Sequence, residues 1–324
     1  MARRRVMSGM RPTGRLHIGH LVGVLRGWVA LTADNDAFFE VADLHALTTA
    51  YDRSDTIGAS IHEMVIDWLA AGVDPERATL YVQSHIPQIA EMHLLLSMIV
   101  PLAWLQRVPT FKDQIAALGG EVATYGFLGY PLMQLVDIAA MRGEFVPVGR
   151  DQLAHLEVAR EIVRRVNHLY GAGTLVEPQP ILGEFPGVPG TDGRKMSKSY
   201  GNDIQIADDA QVTTKKIRSM VTDPLKVRRN DPGRPEVCPV FELHHLTNAA
   251  RVPSIEEQCR TGALGCVDCK TDLAQSFDLA FGPIRARRAE IDPASVAGVL
   301  ADGAERARAI ASGELRALKT RMSL

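Results

Sequence analysis

The sequence predicts an α/β protein, with a Rossmann-like nucleotide-binding domain on a doubly wound parallel sheet and a smaller all-helical domain after it. Three observations carry this expectation. Short β-rich runs alternate with amphipathic helical patterns through the first half; a glycine-punctuated segment follows the first run, where such sheets bind nucleotides; and strand-like runs cease near residue 206.

The β-rich runs are Arg5 to Ser8, Ala37 to Asp43 and Ala78 to Gln83. Between the last two, Ser54 can cap a helix in which Ile57, Ile61, Met64, Val65 and Trp68 recur at three and four, ending near Gly72. Strand, helix, strand in this order implies parallel pairing. From Ile86 the pattern is helical through Ile89, Met92, Leu95, Leu96 and Ile99, then broken by Pro101 and Pro109. That segment, about 86–130, has the character of an insertion that makes a lid or a subunit contact. From about Asp208 basic residues gather (Lys215, Lys216, Arg218, Lys226, Arg228, Arg229) and amphipathic helices run to the end. The expected organisation is a catalytic domain over 1–205, a helical domain over 206–285, and a C-terminal helix over 286–324 that packs back on the first domain.

With 324 residues, 46% hydrophobic and 23% charged, the chain has the composition of an ordinary soluble protein large enough for two domains. A formal charge of −2 gives no overall field toward nucleic acid, so any RNA contact needs local basic patches. No DNA or membrane partner is expected. Basic Met1 to Arg5 is not followed by a signal-like apolar region, and no run approaches spanning length, which places the protein in the cytoplasm.

Two segments carry the chemistry. Ser8-Gly9-Met10-Arg11-Pro12-Thr13-Gly14-Arg15-Leu16-His17-Ile18-Gly19-His20 joins the first strand to a helix with apolar Leu21, Val24, Leu25 and Trp28. Its glycines allow close backbone approach, the helix start offers free N–H groups to phosphate, and His17 and His20 can donate to phosphate oxygens. By itself the stretch has a second, less favoured reading as a turn with two exposed histidines. Gly190-Thr191-Asp192-Gly193-Arg194-Lys195-Met196-Ser197-Lys198-Ser199-Tyr200-Gly201-Asn202 has the composition of a mobile loop whose flexible ammonium groups can follow a departing pyrophosphate. By itself such a Lys/Ser loop is more often solvated surface. Neither a Walker-type loop nor Gly-x-Gly-x-x-Gly occurs.

Taken together, His-Ile-Gly-His and Lys-Met-Ser-Lys-Ser, 175 residues apart, resemble the paired signatures of the class I aminoacyl-tRNA synthetases. Ala42-Asp43-Leu44-His45-Ala46-Leu47-Thr48, Tyr130 to Ile138 and Val146-Pro147-Val148-Gly149-Arg150-Asp151-Gln152 are similar to the tryptophanyl family in particular. The sister tyrosyl family shares Tyr-Pro-Leu-Met-Gln but differs in its loop signature, and it is the nearest rival. A synthetase-like protein that charges no tRNA is a rival of another class, which intact signature loops disfavour.

The resemblance implies ATP-dependent activation of L-tryptophan to an adenylate and transfer to tRNA(Trp), with Mg²⁺, in a homodimer whose contact comes largely from the insertion. Asp137 would accept the indole N–H, Tyr130 and Gln152 would hold the α-amino and carboxylate end, and Gly9, His45, Gln134, Ile138, Val146 and Val148 would surround the ring. The chemistry of Asp137 suits that role, because a buried acceptor aimed at one donor rejects analogues that leave it unpaired. ATP would meet Arg11, Pro12, Thr13, Gly19, His20, Gly149, Arg150, Asp151 and the Val188 backbone, with Lys195, Met196, Ser197, Lys198 and Ser199 closing over the phosphates. His17, His20, Lys195 and Lys198 would be the catalytic group. The family often has methionine at position 134, glutamate at 150 and asparagine at 20, so the pocket here is slightly more polar and a side-chain role for Arg150 is in doubt.

All four cysteines lie in the last third, Cys238, Cys259, Cys266 and Cys269, separated by 20, 6 and 2 residues. Spacing alone suggests one metal centre, with Zn²⁺ as the default, or else four buried thiols. Cys-Pro-Val and Gly-Cys-Val-Asp-Cys-Lys resemble the subset of tryptophanyl enzymes that binds a [4Fe–4S] cluster. The first gap departs slightly from that subset. Remote from the adenylate site, such a cluster would shape a tRNA-anticodon surface. Arg285, Arg287 and Arg288 are further candidates for RNA phosphate contacts, or else solvated helix-face arginines.

Overall fold

A computed structural model of the chain describes residues 3–108, 123–149, 152–183 and 187–324. Five parallel strands form one sheet in the order β3-β2-β1-β4-β5, built from β1 (Arg4–Met10), β2 (Asn35–Val41), β3 (Ala78–Val82), β4 (Phe145–Val148) and β5 (Gln179–Leu182). The strand order reverses between β1 and β4. That switch point opens a crevice at the carboxyl ends of both strands, which is where the first signature segment leaves β1.

The first three strands fall where the β-rich runs predicted them. β4 and β5 have no such run, because Pro147 and Pro180 interrupt their patterns; each is short, and β5 is an edge strand. After β1 the chain enters a helix at Ile18–His20, widens into a π-type turn over Leu21–Leu25 and returns to α geometry over Arg26–Leu31. We call the three together α1. Next come α2 (Asp43–Ala50) and α3 (Asp55–Ala70). Ser54 starts α3 without a capping hydrogen bond, because the turn before it, Tyr51–Arg53, already brings the chain in at helical angles. Gly72, at φ +101°, ends α3 as expected.

Beyond β3 lie α4 (Pro87–Ser97), α5 (Leu102–Gln106), α6 (Tyr125–Leu128) and α7 (Tyr130–Ala140), and then α8 (Leu153–Tyr170) between β4 and β5. Residues 109–122 of the expected insertion lie outside the described residues. The later chain is helical: α9 (Ala210–Ser219), α10 (Pro239–Thr247), α11 (Val252–Arg260), α12 (Cys266–Glu290) and α13 (Pro293–Arg321).

Two apolar cores cover the two faces of the sheet. On one, Trp28 stacks on Phe39 at 4.2 Å and meets Trp68 edge-on, and the packing continues without a break into Ile217, Leu243, Phe277 and Phe281 of the later helices. On the other, Met7, Phe38 and Tyr81 pack against α4, α7 and α8 and against Ala304, Ala307 and Ala311 of α13. α13 lies directly on β3, with Gly303 against the Leu80 backbone so closely that a β-carbon there would stand 1.7 Å from the Leu80 carbonyl oxygen.

Arg285, Arg287 and Arg288 do not form an outward RNA-facing row. Arg288 donates to Asp67 (2.7 Å) and Glu63 (2.6 Å), Arg287 to the Ala70 carbonyl (2.9 Å), and Arg285 pairs with Asp278. The first two fasten α12 to α3, and buried Asp67 in turn accepts the Leu16 N–H at 2.8 Å. The strap thus ends one residue before His17.

Candidate active site

The crevice at the switch point is a cavity of about 1330 Å³. Arg11, Thr13, His17, Gly19, His20, Gly149, Val188, Lys195 and Met196 line its nucleotide end; Gly9, His45, Tyr130, Gln134, Asp137, Ile138, Val146, Val148 and Gln152 line the other. Arg150 and Asp151 lie outside the described residues. Pro12, Ser197, Lys198 and Ser199 stand beside the cavity and not in its wall.

The two signature segments are joined by backbone. His17 and Gln205 form an antiparallel bridge, flanked by Ile18 N to Ile204 O and Ile206 N to Leu16 O, both 2.9 Å. Lys198 completes the seam, donating from Nζ to the Thr13 carbonyl (2.7 Å) and hydroxyl (3.0 Å) and to the Gly14 carbonyl (3.3 Å). Burial lowers its pKa, countered by Asp203. Lys195 is the ammonium group that the cavity wall presents.

The second segment is a tied turn. Pro189 and Lys195 bridge antiparallel, Met196 N donates to Val188 O (2.8 Å), and Asn202 holds both limbs. Its carbonyl accepts Thr191 N (2.9 Å), its Oδ1 accepts Ser197 N (2.8 Å), and its Nδ2 donates to Asp192 (2.6 Å). A β-carbon on Gly190 would collide with the Asn202 side chain at 2.3 Å, so glycine is required there.

His17 and His20 are in ring contact, with centroids 3.9 Å apart, and His20 Nδ1 accepts the His17 backbone N–H (3.3 Å). Burial pulls His17 down to about 4 and His20 down to about 3, with each other and Lys198 adding to the depression at His20. At neutral pH both rings are neutral, so each offers one N–H and no charge. Gly19 leaves room for them: a β-carbon there would stand 2.9 Å from the His17 ring. Arg11 is anchored through Nη2 to the Thr49 hydroxyl.

At the opposite end Asp137, 3% exposed, sits within the apolar run of α7. Its Oδ2 pairs with His45 Nε2 (2.9 Å) and its Oδ1 accepts from Gln83 Nε2 (2.8 Å). Gln83, fully buried, turns its own carbonyl to the N–H groups of Leu44 and His45. Tyr130 Oη meets His155 Nε2 at 2.7 Å, and His155 Nδ1 meets Gln152 Oε1 at 2.9 Å. Gln83, His155, Asn202 and Glu40 were not singled out from the sequence. The Gln152 to His155 spacing of one helical turn is a signal that could have found the second; the others depend on contacts distant in sequence.

The four cysteines are all free and partly buried. Among the described residues no three His, Cys, Asp or Glu side chains are placed to hold a single metal ion. No helix among them is long and apolar enough to cross a membrane.

The family model described as class I tRNA synthetases (W and Y) matches residues 2–282. A tryptophan–tRNA ligase of Thermotoga maritima is 44% identical over 326 residues, covering 99% of each chain. One of Ralstonia nicotianae is 40% identical, covering 99% of this chain and 98% of its own. Among solved structures, a Campylobacter jejuni tryptophanyl-tRNA synthetase complexed with ADP and tryptophan superposes with a TM-score of 0.88 at 30% identity, covering 99% of this chain and all of that one. A tyrosyl-tRNA synthetase of Archaeoglobus fulgidus, 22% identical with a TM-score of 0.66, shares the fold.

Proposed function

The chain belongs to the tryptophan–tRNA ligases, class I tRNA synthetases, and from that membership we propose how its residues divide the work. It is an enzyme that activates L-tryptophan with ATP and transfers it to tRNA(Trp). The observation that carries the division of labour is one cavity with Arg11, Lys195 and two neutral imidazoles at one end and a hydrogen-bonded buried carboxylate at the other.

ATP, as its Mg²⁺ complex, lies over Gly19, with its phosphates toward Arg11, Thr13, His17, His20 and Lys195. Tryptophan lies across Gly9 with its ring among Ile138, Val146 and Val148. Asp137 accepts the indole N–H, and the His45 and Gln83 donors hold its two oxygens in place for that bond. Tyr130 and Gln152, steadied by His155, receive the amino-acid end. The tryptophan carboxylate attacks the α-phosphorus in line, the bond to the bridging oxygen breaks, and pyrophosphate leaves with its charge met by Lys195; Mg²⁺ carried in with the nucleotide would supply further positive charge there. A terminal ribose hydroxyl of the tRNA then attacks the adenylate carbonyl and releases AMP. No enzyme group becomes covalently attached, so catalysis consists of positioning and electrostatics. Lys198, seated on Thr13 and Gly14, acts by closing the seam between the signature segments, and Ser197 and Ser199 shape its turn. Arg150, Asp151 and Pro12 complete the ATP contacts in this scheme.

We assign residues 206–285 to tRNA recognition, with residues 1–205 and the returning segment 286–324, which ends α12 and carries α13, as the catalytic body. We further assign the chain to a homodimer with its contact in the 86–130 segment and to the cytoplasm, which the same family membership supports.

Cys238, Cys259, Cys266 and Cys269 are assigned to one [4Fe–4S] cluster. Supporting this, burial, with the charges of the other cysteines, pushes the Cys269 thiol up to about 12 and raises Cys238 and Cys259. Backbone N–H groups of Val240, Phe241 and Asp223 favour the Cys238 thiolate, and Lys226 that of Cys259. A polynuclear centre would supply the positive charge that grouped thiolates need and would tie α10, α11 and α12 together. Anaerobically purified protein should contain iron and sulfide; stoichiometric zinc instead would overturn the assignment.

The activity is tested by ATP–pyrophosphate exchange with tryptophan against tyrosine. Exchange dependent on tyrosine would refute the specificity assigned to Asp137.

A further inference from the structure

Glu40 is a feature of the ring pocket that tryptophan itself does not use. It is 1% exposed and stands in register between Gly9 of β1 and Tyr81 of β3, so all three residues face the α7 side of the sheet. Glu40 and Gly9 both line the cavity, and the missing side chain of Gly9 leaves the carboxyl at its edge: a β-carbon on Gly9 would stand 3.3 Å from Glu40 Oε1. Glu40 Oε2 and Tyr81 Oη are buried with no well-aligned hydrogen bond, and the Glu40 carboxyl lies within reach of the Tyr81 hydroxyl and of Asp137. Buried polar atoms of this kind are costly and uncommon, and at a cavity wall they point to a ligand group. Burial, and next the charge of Asp137, raise the Glu40 pKa well above its ordinary value, which favours the protonated form, a donor as well as an acceptor.

The indole of tryptophan has a single hydrogen-bonding atom, its N–H, and Asp137 takes it. We propose that Glu40 is a second, ring-side specificity residue, and that this pocket accepts tryptophans carrying a hydrogen-bonding ring substituent, a hydroxyl or an amino group, alongside tryptophan. The inference rests on the assigned placement of the ring against Asp137. A hydroxyl brought to Glu40 would add a hydrogen bond to its carboxyl, whereas a methyl group of similar size would add none.

The test is ATP–pyrophosphate exchange by the full-length protein with tryptophan, each ring-hydroxylated isomer and the matching methyltryptophans, for the wild type, Glu40→Gln and Glu40→Leu. For the wild type, at least one hydroxytryptophan should reach a kcat/KM within about tenfold of tryptophan and exceed its methyl counterpart by about tenfold or more. Glu40→Leu should lower the hydroxytryptophan-to-tryptophan ratio by at least about tenfold, and Glu40→Gln, which still hydrogen-bonds, by less. If Glu40→Leu does not fold, the wild-type comparison of hydroxyl with methyl decides alone. The inference is overturned if every hydroxyl isomer falls more than about tenfold below tryptophan, or if the ratio is unmoved by Glu40→Leu. Failure of the wild type to activate tryptophan at all would instead refute the function assigned above.

Discussion

Replacing Asp137 by asparagine keeps the shape of the side chain but removes its charge and turns one acceptor into a donor. In the wild type Oδ2 faces His45 Nε2 at 2.9 Å and Oδ1 faces the Gln83 amide at 2.8 Å, so the carboxylate is met by a donor on each oxygen and still has lone pairs for the indole N–H. In the variant the new amide must point its N–H₂ at Gln83 or at His45. The Gln83 amide is fixed as a donor toward Asp137, because its carbonyl serves Leu44 and His45; only the His45 ring can adapt, by changing tautomer. The amide oxygen would then stay with Gln83, and the indole would face a neutral, partly occupied acceptor. A hydrogen bond to a charged group contributes about 1.5–3 kcal/mol, which corresponds to a drop in kcat/KM for tryptophan of about 10- to 150-fold. The KM for ATP should change by less than about threefold, since the signature segments do not touch α7 through this network. Exchange kinetics with each substrate varied in turn measure both quantities. A kcat/KM for tryptophan within about twofold of wild type, or an equal loss on the ATP side, would refute the assigned role.

Three further predictions concern the frame around the site. Gly303→Ala adds helix propensity of about 1 kcal/mol, but its β-carbon would lie 1.7 Å from the Leu80 carbonyl oxygen, so α13 must lift off β3 and a net loss of about 3 kcal/mol is expected in denaturant unfolding. Arg288→Met strands buried Asp67 and should cost about 3 kcal/mol near pH 8. Burial already raises the Asp67 pKa, so without Arg288 the acid is favoured protonated in the fold, and the penalty should shrink as pH falls toward 5; an equal penalty at both pH values would contradict the strap. His17 and His20 are depressed from the ordinary 6.5 to about 4 and about 3, so below 6.5 the unfolded chain takes up protons before the folded one does. Stability should therefore be full above pH 6.5 and decline as pH falls toward 4, and His20→Asn should flatten that decline in melting temperature. An unchanged slope would show that the rings titrate normally.

Much of the site was legible because its residues cluster in short segments. The β1-to-helix segment and the Lys195 to Ser199 segment are each contiguous, and eight of the twelve residues assigned from them line one cavity, all but Pro12, Ser197, Lys198 and Ser199. What stayed hidden was set by pairings across the fold. β4 and β5 are four residues each and carry prolines, Pro147 in an inner strand and Pro180 at the edge, so no strand pattern reveals them. Gln83 looks like an ordinary strand end until β3 places it against α7, and Glu40 looks like a polar interruption of a strand until Gly9 opens beside it. The arginines of α12 were misjudged for the same reason: their helix carries no mark that Glu63 and Asp67 face it.

The central claim is that one cavity couples ATP to tryptophan and to no other amino acid. Aminoacylation of total tRNA with each labelled amino acid in turn tests it most directly. Label should enter tRNA with tryptophan alone, in an ATP-dependent manner; charging with tyrosine, or adenylate formation without any charging, would contradict it.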